Sequence, residues 1–275
     1  MGHMVIYAIM TVRFSICTAM IFPQLPFPRR VEKIAGAGFE GIEFWDWKDK
    51  RLDALASQCA ELGLIVTNMS GQRAGSLVDP KEFGLYKGEV VASIEAARSI
   101  SCGNLMLLTN PLDPDGNVLN AYPEIQPQQK RANCEQALSE LASLATEANV
   151  HLLVEPLNTV IDHSGYWLDD ADCAFELIRT VGHPGIRLLY DFYHMRAMGR
   201  DIHRDIENNL DLIGYVHAAD FPGRHEPGTG EMNYPSILRL LGSCGYDGFV
   251  GFEFTPANSS DEALKTIHRL VEPYL

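Results

Sequence analysis

Short runs of apolar, β-branched and aromatic residues alternate along this chain with longer stretches in which apolar positions return every third or fourth residue. The short runs, closed by Gly, Pro, Asn or Asp, read as strands; the longer stretches read as helices with one buried face. The alternation makes eight rounds of about thirty residues, the pattern of an α/β fold of the (β/α)8 TIM-barrel type. Strands are expected at RFSICT (13–18), GIEFW (41–45), LIVTNMS (64–70), NLMLLTN (104–110), HLLV (151–154), IRLLYDF (186–192), LIGYVHAAD (212–220) and GFVGFEF (248–254).

Helices are expected over Pro28–Ala37, Arg51–Leu62, Tyr86–Ile100, Pro127–Ala148, the stretch carrying Phe175, Leu177 and Ile178, Asp201–Leu210, Pro235–Leu241, and the C-terminal DEALKTIHRLVEPYL. In the second of these, Leu52, Leu55, Ala56, Cys59 and Leu62 share one face and Gly63 supplies the stop. Asp169 or Asp170, and Asn258 or Ser259, are placed to cap the helices that follow them. The loop through Gly71, Gly75 and Pro80 is a candidate lid, PLDPDGN (111–117) is a turn cluster, and FPGRHEPGTGEMNY (221–234) is a loop suited to substrate contacts. Nothing resembling a linker divides the chain, so 1–275 is read as a single domain.

The last four strands share a further feature. HLLV runs out into Glu155 and Pro156, IRLLYDF carries Asp191, LIGYVHAAD carries His217 and GFVGFEF carries Glu253, each close to the strand's C-terminal end. In a closed parallel barrel those ends share one mouth, so Glu155, Asp191, His217 and Glu253 are expected to converge. A single strand-end acid often does no more than bind a loop. Three acids in a partly dry mouth repel one another unless a cation neutralises them. Three carboxylates and one imidazole suit Mg²⁺ or Mn²⁺, with Zn²⁺ or Co²⁺ admitted by the nitrogen. A divalent ion holding a carbonyl and its neighbouring hydroxyl acidifies the C–H between them, and two glutamates can then remove and return a proton. The chemistry is that of an aldose–ketose isomerase or a ketose epimerase.

His194, three residues beyond Asp191, can bond a substrate oxygen or the strand-six loop, and Arg224 can bind a carboxylate or phosphate or remain a solvated loop cation. Glu43 can line the mouth as a hydrogen-bonding partner, although a structural role suits it better. Trp45 and Trp47 can wall the pocket or simply pack, and His151 and His163 take no assignment. GTG at 228–230 lacks the Lys-Ser or Lys-Thr of a phosphate loop, and neither G-x-S-x-G nor H-E-x-x-H occurs.

Composition narrows the partners. A formal charge of -14 disfavours nucleic acid and anionic membrane, and no run is long enough to span a bilayer. Six cysteines scattered singly, without C-x-x-C, suggest neither a disulfide framework nor a thiolate zinc site and fit a reducing cytoplasm. The opening MGHM has the look of an expression scar.

Five motifs together, RFS near the start, GIEF (41–44), EPLN (155–158), YDFYHM (190–195) and EPGTGEMNY (226–234), resemble the hydroxypyruvate isomerase group of the xylose isomerase-like barrels. The likeness spans nearly the whole chain and is most specific in its second half. It implies a divalent metal, usually Mg²⁺ or Mn²⁺, held by Glu155, Asp191, His217 and Glu253. It also implies enediol proton transfer with Glu155 and Glu253 as acid and base, and substrate contacts near His194 and Arg224. The substrate implied is a small keto sugar or keto acid, and a homo-oligomer is compatible with it. At His217 the chain departs from the isomerases, which often carry glutamine there, toward the tagatose and psicose 3-epimerases, which carry histidine. TNMSGQRAG also differs from the isomerase pattern. An abasic-site endonuclease shares the barrel but needs more histidines and a basic groove, and a barrel without catalysis is opposed by two intact glutamates.

Overall fold

Along a strand, side chains alternate between two faces, and in a closed barrel one face looks into the bore and the other onto the helices. The computed structural model describes residues 12–275, so the MGHM start lies outside the described residues. Eight strands form a closed, all-parallel barrel in sequence order: β1 (Arg13–Cys17), β2 (Gly41–Phe44), β3 (Ile65–Ser70), β4 (Asn104–Leu107), β5 (His151–Val154), β6 (Ile186–Asp191), β7 (Ile213–Ala218) and β8 (Phe249–Phe252). The ring closes where β8 pairs with β1. Around it lie α1 (Phe27–Gly36), α2 (Leu52–Leu62), α3 (Phe83–Ser99), α4 (Pro127–Ala148), α5 (Ala171–Val181), α6 (Phe192–Ala197), α7 (Ile202–Asn209), α8 (Tyr234–Ser243) and α9 (Ser260–Val271).

Two hydrophobic layers follow from the alternation. Leu152, Val154, Leu188, Val216 and Val250 point outward and pack beneath the helices. Met106, Leu153, Leu189, Tyr215 and Phe249 point inward and plug the bore. Two positions beyond Leu153, Leu189 and Tyr215 come Glu155, Asp191 and His217, and four beyond Phe249 comes Glu253. The period of two therefore lifts all four onto the bore side, one layer above the plug.

Most elements lie where the pattern predicts, with shifted ends. The strands stop earlier: Leu108 and Thr109 leave the β4 ladder but stay buried. α3 starts at Phe83, three residues before Tyr86. Asp170 caps α5 by accepting from Asp172 N, and Ser259 caps α9 by accepting from Glu262 N. The short helix α6 is absent from the sequence reading. Asp191 is its N-cap, accepting from His194 N at 3.0 Å. The segment from Gly71 to Pro80 is corrected from a lid to part of the barrel wall. Ser76, Leu77 and Val78 are buried, and Leu77 N donates to Thr109 O.

Candidate active site at the barrel mouth

Register brings the four residues together. Asp191 on β6 is the direct partner of His217 on β7, and His217 is the partner of Gly251 on β8, two residues before Glu253. Glu155 N donates to Leu107 O and Glu253 N to Ala218 O, so both glutamates continue their strands by one residue. One ligand-type atom from each of Glu155, Asp191, His217 and Glu253 lies within 4.8 Å of the others, and all four side chains are buried. His217 Nδ1 is 3.4 Å from Glu155 Oε1 and 3.7 Å from Glu253 Oε2. The expected convergence is what the structure shows.

Burying ionised groups costs several kcal/mol per ion after relaxation, and the cluster's protonation answers to that cost. Burial raises the Glu155 carboxyl to about 7, against the opposing pull of His217. Burial also raises Asp191. For Glu253 burial acts upward but is outweighed by His217 and Arg224, which hold it below its ordinary value. His217 is driven down by burial and up, more strongly in sum, by the carboxylates of Glu43, Glu253 and Glu155, so it lies well above its ordinary value.

Three polar atoms of the cluster, Glu155 Oε1, Asp191 Oδ2 and His217 Nδ1, are buried without a hydrogen-bond partner among the described residues. Leaving such atoms unpaired costs about 1–3 kcal/mol each, more for charged groups. Their convergence fits a divalent cation, because a cation satisfies an oxygen donor, a second oxygen and an imidazole lone pair at once.

The remaining predicted residues take distinct places. Asp191 divides its carboxylate: Oδ1 caps α6, and Oδ2 turns to the cluster. His194 is buried beside it, with Nε2 3.7 Å from Asp191 Oδ2. Arg224 donates through Nη2 to Glu253 Oε2 at 2.6 Å, lies over the Tyr193 ring, and keeps a buried, unpartnered Nε. Its backbone is left-handed (φ 54°), fixed by Arg224 N donating to Asp220 O and by Thr255 N donating to Arg224 O. Glu43, expected as a hydrogen-bonding partner at the mouth, does stand behind His217, its Oε2 3.2 Å from Nε2; it does not line the cavity, so a direct substrate contact is not its place. A group there fixes the ring and leaves Nδ1 toward the cluster. Gly251 makes room for it, since a Cβ at that position would collide with the Glu43 carboxylate.

Above the cluster opens a cavity of about 380 Å³, lined among others by Trp45, Arg73, Gly116, Asp162, His163 and Arg224, with Glu155, His194 and Glu253 at its floor. Of the 221–234 loop only Arg224 lines it. The rest of that loop folds around Asp220, whose carboxylate accepts from the backbone N of Phe221, Gly228 and Met232. Gly230 is required where a Cβ would strike Phe221 O. The glycines of EPGTGE thus shape the loop around a carboxylate of this chain.

Sequence reading gave no role to Asn158 or His163 and left Trp45, which does line the cavity, between pocket wall and packing. Trp45 Nε1 donates to Glu253 Oε1 at 2.7 Å, a role hidden because aromatic residues at strand ends usually pack. Asn158 donates through Nδ2 to His194 Nδ1 at 2.7 Å. His163 lines the cavity from a loop without regular structure. A larger outer groove, about 760 Å³ between α1 and α9, is lined by charged side chains such as Lys33 and Asp261 that pair with one another.

A parallel eight-stranded barrel with acids and an imidazole gathered at its C-terminal mouth has the architecture of barrel enzymes, whose chemistry sits at that face. The chain belongs to the xylose isomerase-like TIM barrel family, whose model matches residues 31–270. It is 30% identical over 270 residues to a hydroxypyruvate isomerase of Escherichia coli K12, covering 95% of this chain and 99% of that one. It is 25% identical to a 2-oxo-tetronate isomerase of Cupriavidus necator, covering 96% and 98% of the two. Among solved structures, one described as an AP endonuclease, family 2, from Brucella melitensis superposes with a TM-score of 0.85 at 25% identity, covering 96% of this chain and 99% of that one. Among the described residues no helix is long and apolar enough to cross a membrane.

Proposed function

We propose that the chain is a divalent-metal-dependent isomerase that moves the carbonyl of a small keto acid or keto sugar between neighbouring carbons through an enediol, a reading supported by its likeness to hydroxypyruvate isomerases. The observation that carries this reading is the convergence of Glu155 Oε1, Asp191 Oδ2 and His217 Nδ1, buried and unpartnered, beside Glu253. Glu155, Asp191, His217 and Glu253 would hold the ion, Mg²⁺ or Mn²⁺ before Zn²⁺ or Co²⁺, and a bound ion would polarise the substrate carbonyl and acidify the adjacent C–H.

The glutamates differ in what surrounds them. Both oxygens of Glu253 accept strong donors, Trp45 Nε1 and Arg224 Nη2, which keeps it anionic and makes it the weaker base. Glu155 accepts no such donor, and burial raises it, so of the two it is the stronger base. Glu155 takes the proton from carbon, and Glu253 serves the neighbouring carbon from the other side of the cluster. His194 donates to a substrate oxygen, and Arg224, bonded to Glu253, sets a positive charge beside the cluster.

Hydroxypyruvate, and separately fructose and tagatose, incubated with the Mn²⁺-loaded protein in D₂O test the reading. Deuterium should enter hydroxypyruvate next to its carbonyl, with isomerised product, and both should vanish on chelation. Exchange confined to the ketoses would establish instead the second reading, a ketose 3-epimerase, which is favoured by the histidine at 217. The AP endonuclease description of the Brucella structure does not carry over. The cavity pairs two arginines, Arg73 and Arg224, with Asp113, Asp115, Glu155, Asp162 and Glu253, which with a net charge of -14 repels a phosphodiester backbone. Nicking of abasic DNA in the presence of zinc would reverse that conclusion.

A further inference from the structure

The bore has a second open end. The alternation that lifts Glu155 and Asp191 above the plug sets His151 and Arg187 below it, two positions before Leu153 and Leu189. Asn104 is the register partner of His151, and Arg13 that of Phe249, so both share the inward face. All four line a cavity of about 470 Å³ at the N-terminal mouth of the barrel, and it has no lining residue in common with the cavity above the cluster.

The charge here is opposite to that of the molecule as a whole. The chain carries -14, yet the lining of this cavity holds two arginines, one histidine and one acid, the exposed Asp247. Among the described residues, arginine ion pairs involve Arg29, Arg51, Arg131, Arg200 and Arg224, and neither Arg13 nor Arg187 takes part in one. Arg187 lies against β7, where a Cβ on Gly214 would come within 2.7 Å of its own Cβ. Its Nε is buried without a partner among the described residues, and its Nη2 reaches Ile213 O only at 3.3 Å. The guanidinium of Arg13 sits over the Phe249 ring, 4.0 Å from its centre, a contact made by the face of the group that leaves its edge donors for another partner. The positive charge is felt between the two. Partial burial and then Arg187 hold the His151 imidazole below its ordinary value, and the Tyr246 hydroxyl, raised by burial, is pulled down by both arginines.

Two guanidinium groups and an imidazole in one cavity, short of acceptors, call for a ligand that brings several oxygens and more than one negative charge. Phosphate meets both needs, since its oxygens match the planar fork of arginine and a dianion offsets two cations at once. We propose that the N-terminal mouth of the barrel binds a phosphate group, taken by Arg13 and Arg187 with His151 at its rim. The group comes as inorganic phosphate or as the ester of a small metabolite, and a lone carboxylate, with one charge, is the poorer occupant. Met106, Leu153, Leu189, Tyr215 and Phe249 fill the bore between this site and the cluster, so the ligand here is not the substrate and the inference stands independently of the isomerase reading.

His151 supplies a local readout. Its ring signal, identified by its loss in His151→Gln, is followed by NMR against pH in the full-length Mg²⁺-loaded protein, with inorganic phosphate, glycerol 3-phosphate, or sodium chloride at matched ionic strength. A bound phosphate should raise the midpoint of the His151 titration by about half a unit or more, because a neighbouring negative charge favours the imidazolium, and chloride should not. Calorimetry should show saturable binding that Arg13→Gln and Arg187→Gln each weaken about tenfold or more, with metal affinity at the cluster unchanged. Chelating the metal should leave phosphate binding in place, which separates this site from one at the cluster. Tighter binding of the ester than of the free ion assigns the phosphate to a metabolite, and the reverse order assigns it to inorganic phosphate. A wild-type midpoint that phosphate leaves unmoved, or that chloride moves equally, overturns the proposal whether or not the variants fold. Binding that is lost on chelation, or kept in both folded variants, overturns it as well.

Discussion

Each of β5 to β8 ends at or next to a member of the cluster, whereas β1 to β4 end in Cys17, Phe44, Ser70 and Leu107, none of them an acid or imidazole. The first half contributes support instead. Glu43 on β2 stands behind His217, and Trp45, just past β2, holds Glu253 from two strands round the ring. The donors come from four consecutive strands, so pairing register alone assembles them; the supports come from β2, which reaches β8 only round the β8–β1 seam, so they depend on barrel closure. Chemistry and its alignment are thus separated along the chain, and substitutions in the two halves should fail differently.

The largest effect belongs to the second half. Glu155→Gln and Glu253→Gln are each expected to lower turnover by about 10² to 10⁴ with little change in the melting temperature. Wild-type turnover in either variant would remove that glutamate from the mechanism. Next comes the clearest test of the first half: Glu43→Gln leaves all four donors in place and should weaken Mn²⁺ binding by about 10- to 100-fold in calorimetry, since it loosens the hold on the His217 ring. Unchanged affinity would mean that the two walls act independently.

Smaller still is the effect of pH on that affinity. Without a cation, protons are held by Glu155, raised to about 7, and by His217, raised well above its ordinary value. A cation must displace them. Affinity should therefore fall as pH drops through about 7 and rise above it, by at most roughly tenfold per unit for each proton displaced. Proton release shows as a dependence of the binding heat on buffer ionisation; binding heats that are independent of buffer would contradict the protonation pattern. The smallest expected change is Trp45→Phe, which removes one hydrogen bond to Glu253 and should alter kcat by about two- to tenfold, with KM nearly constant. A loss as large as that of Glu253→Gln would place the indole in the reaction itself.

The same division decided what the sequence revealed. Alternation of short apolar runs with amphipathic stretches is enough to place eight strands, and an acid or imidazole near the C-terminal end of each of the last four is enough to bring Glu155, Asp191, His217 and Glu253 into view. Contacts across the bore have no local signature. Glu43 lies on β2, in an ordinary GIEF run, and nothing nearby in sequence points to His217, 174 residues away. α6 escaped for a different reason: Phe192, Tyr193 and Met195 are all buried, so DFYHM has neither a strand's nor a helix's polar face and reads as a strand tail. The cap that starts it is the same aspartate whose other oxygen serves the cluster, and a residue with two tasks shows only one of them in sequence. The loop through Gly71, Gly75 and Pro80 reads as a lid because its length and turn residues carry no strand or helix pattern. Here Gly71 instead allows close packing against Leu105 and Leu107, and Gly75 takes φ 77° against the start of α3.

Gly251 carries a lesson for anyone wishing to transplant this constellation to another scaffold. Copying four donors onto four strand tips would reproduce the inventory, yet the imidazole would rotate freely unless the recipient wall also lacked a methyl group where a carboxylate from the far side must lodge. The blank position is as much a specification of the centre as the side chains around it.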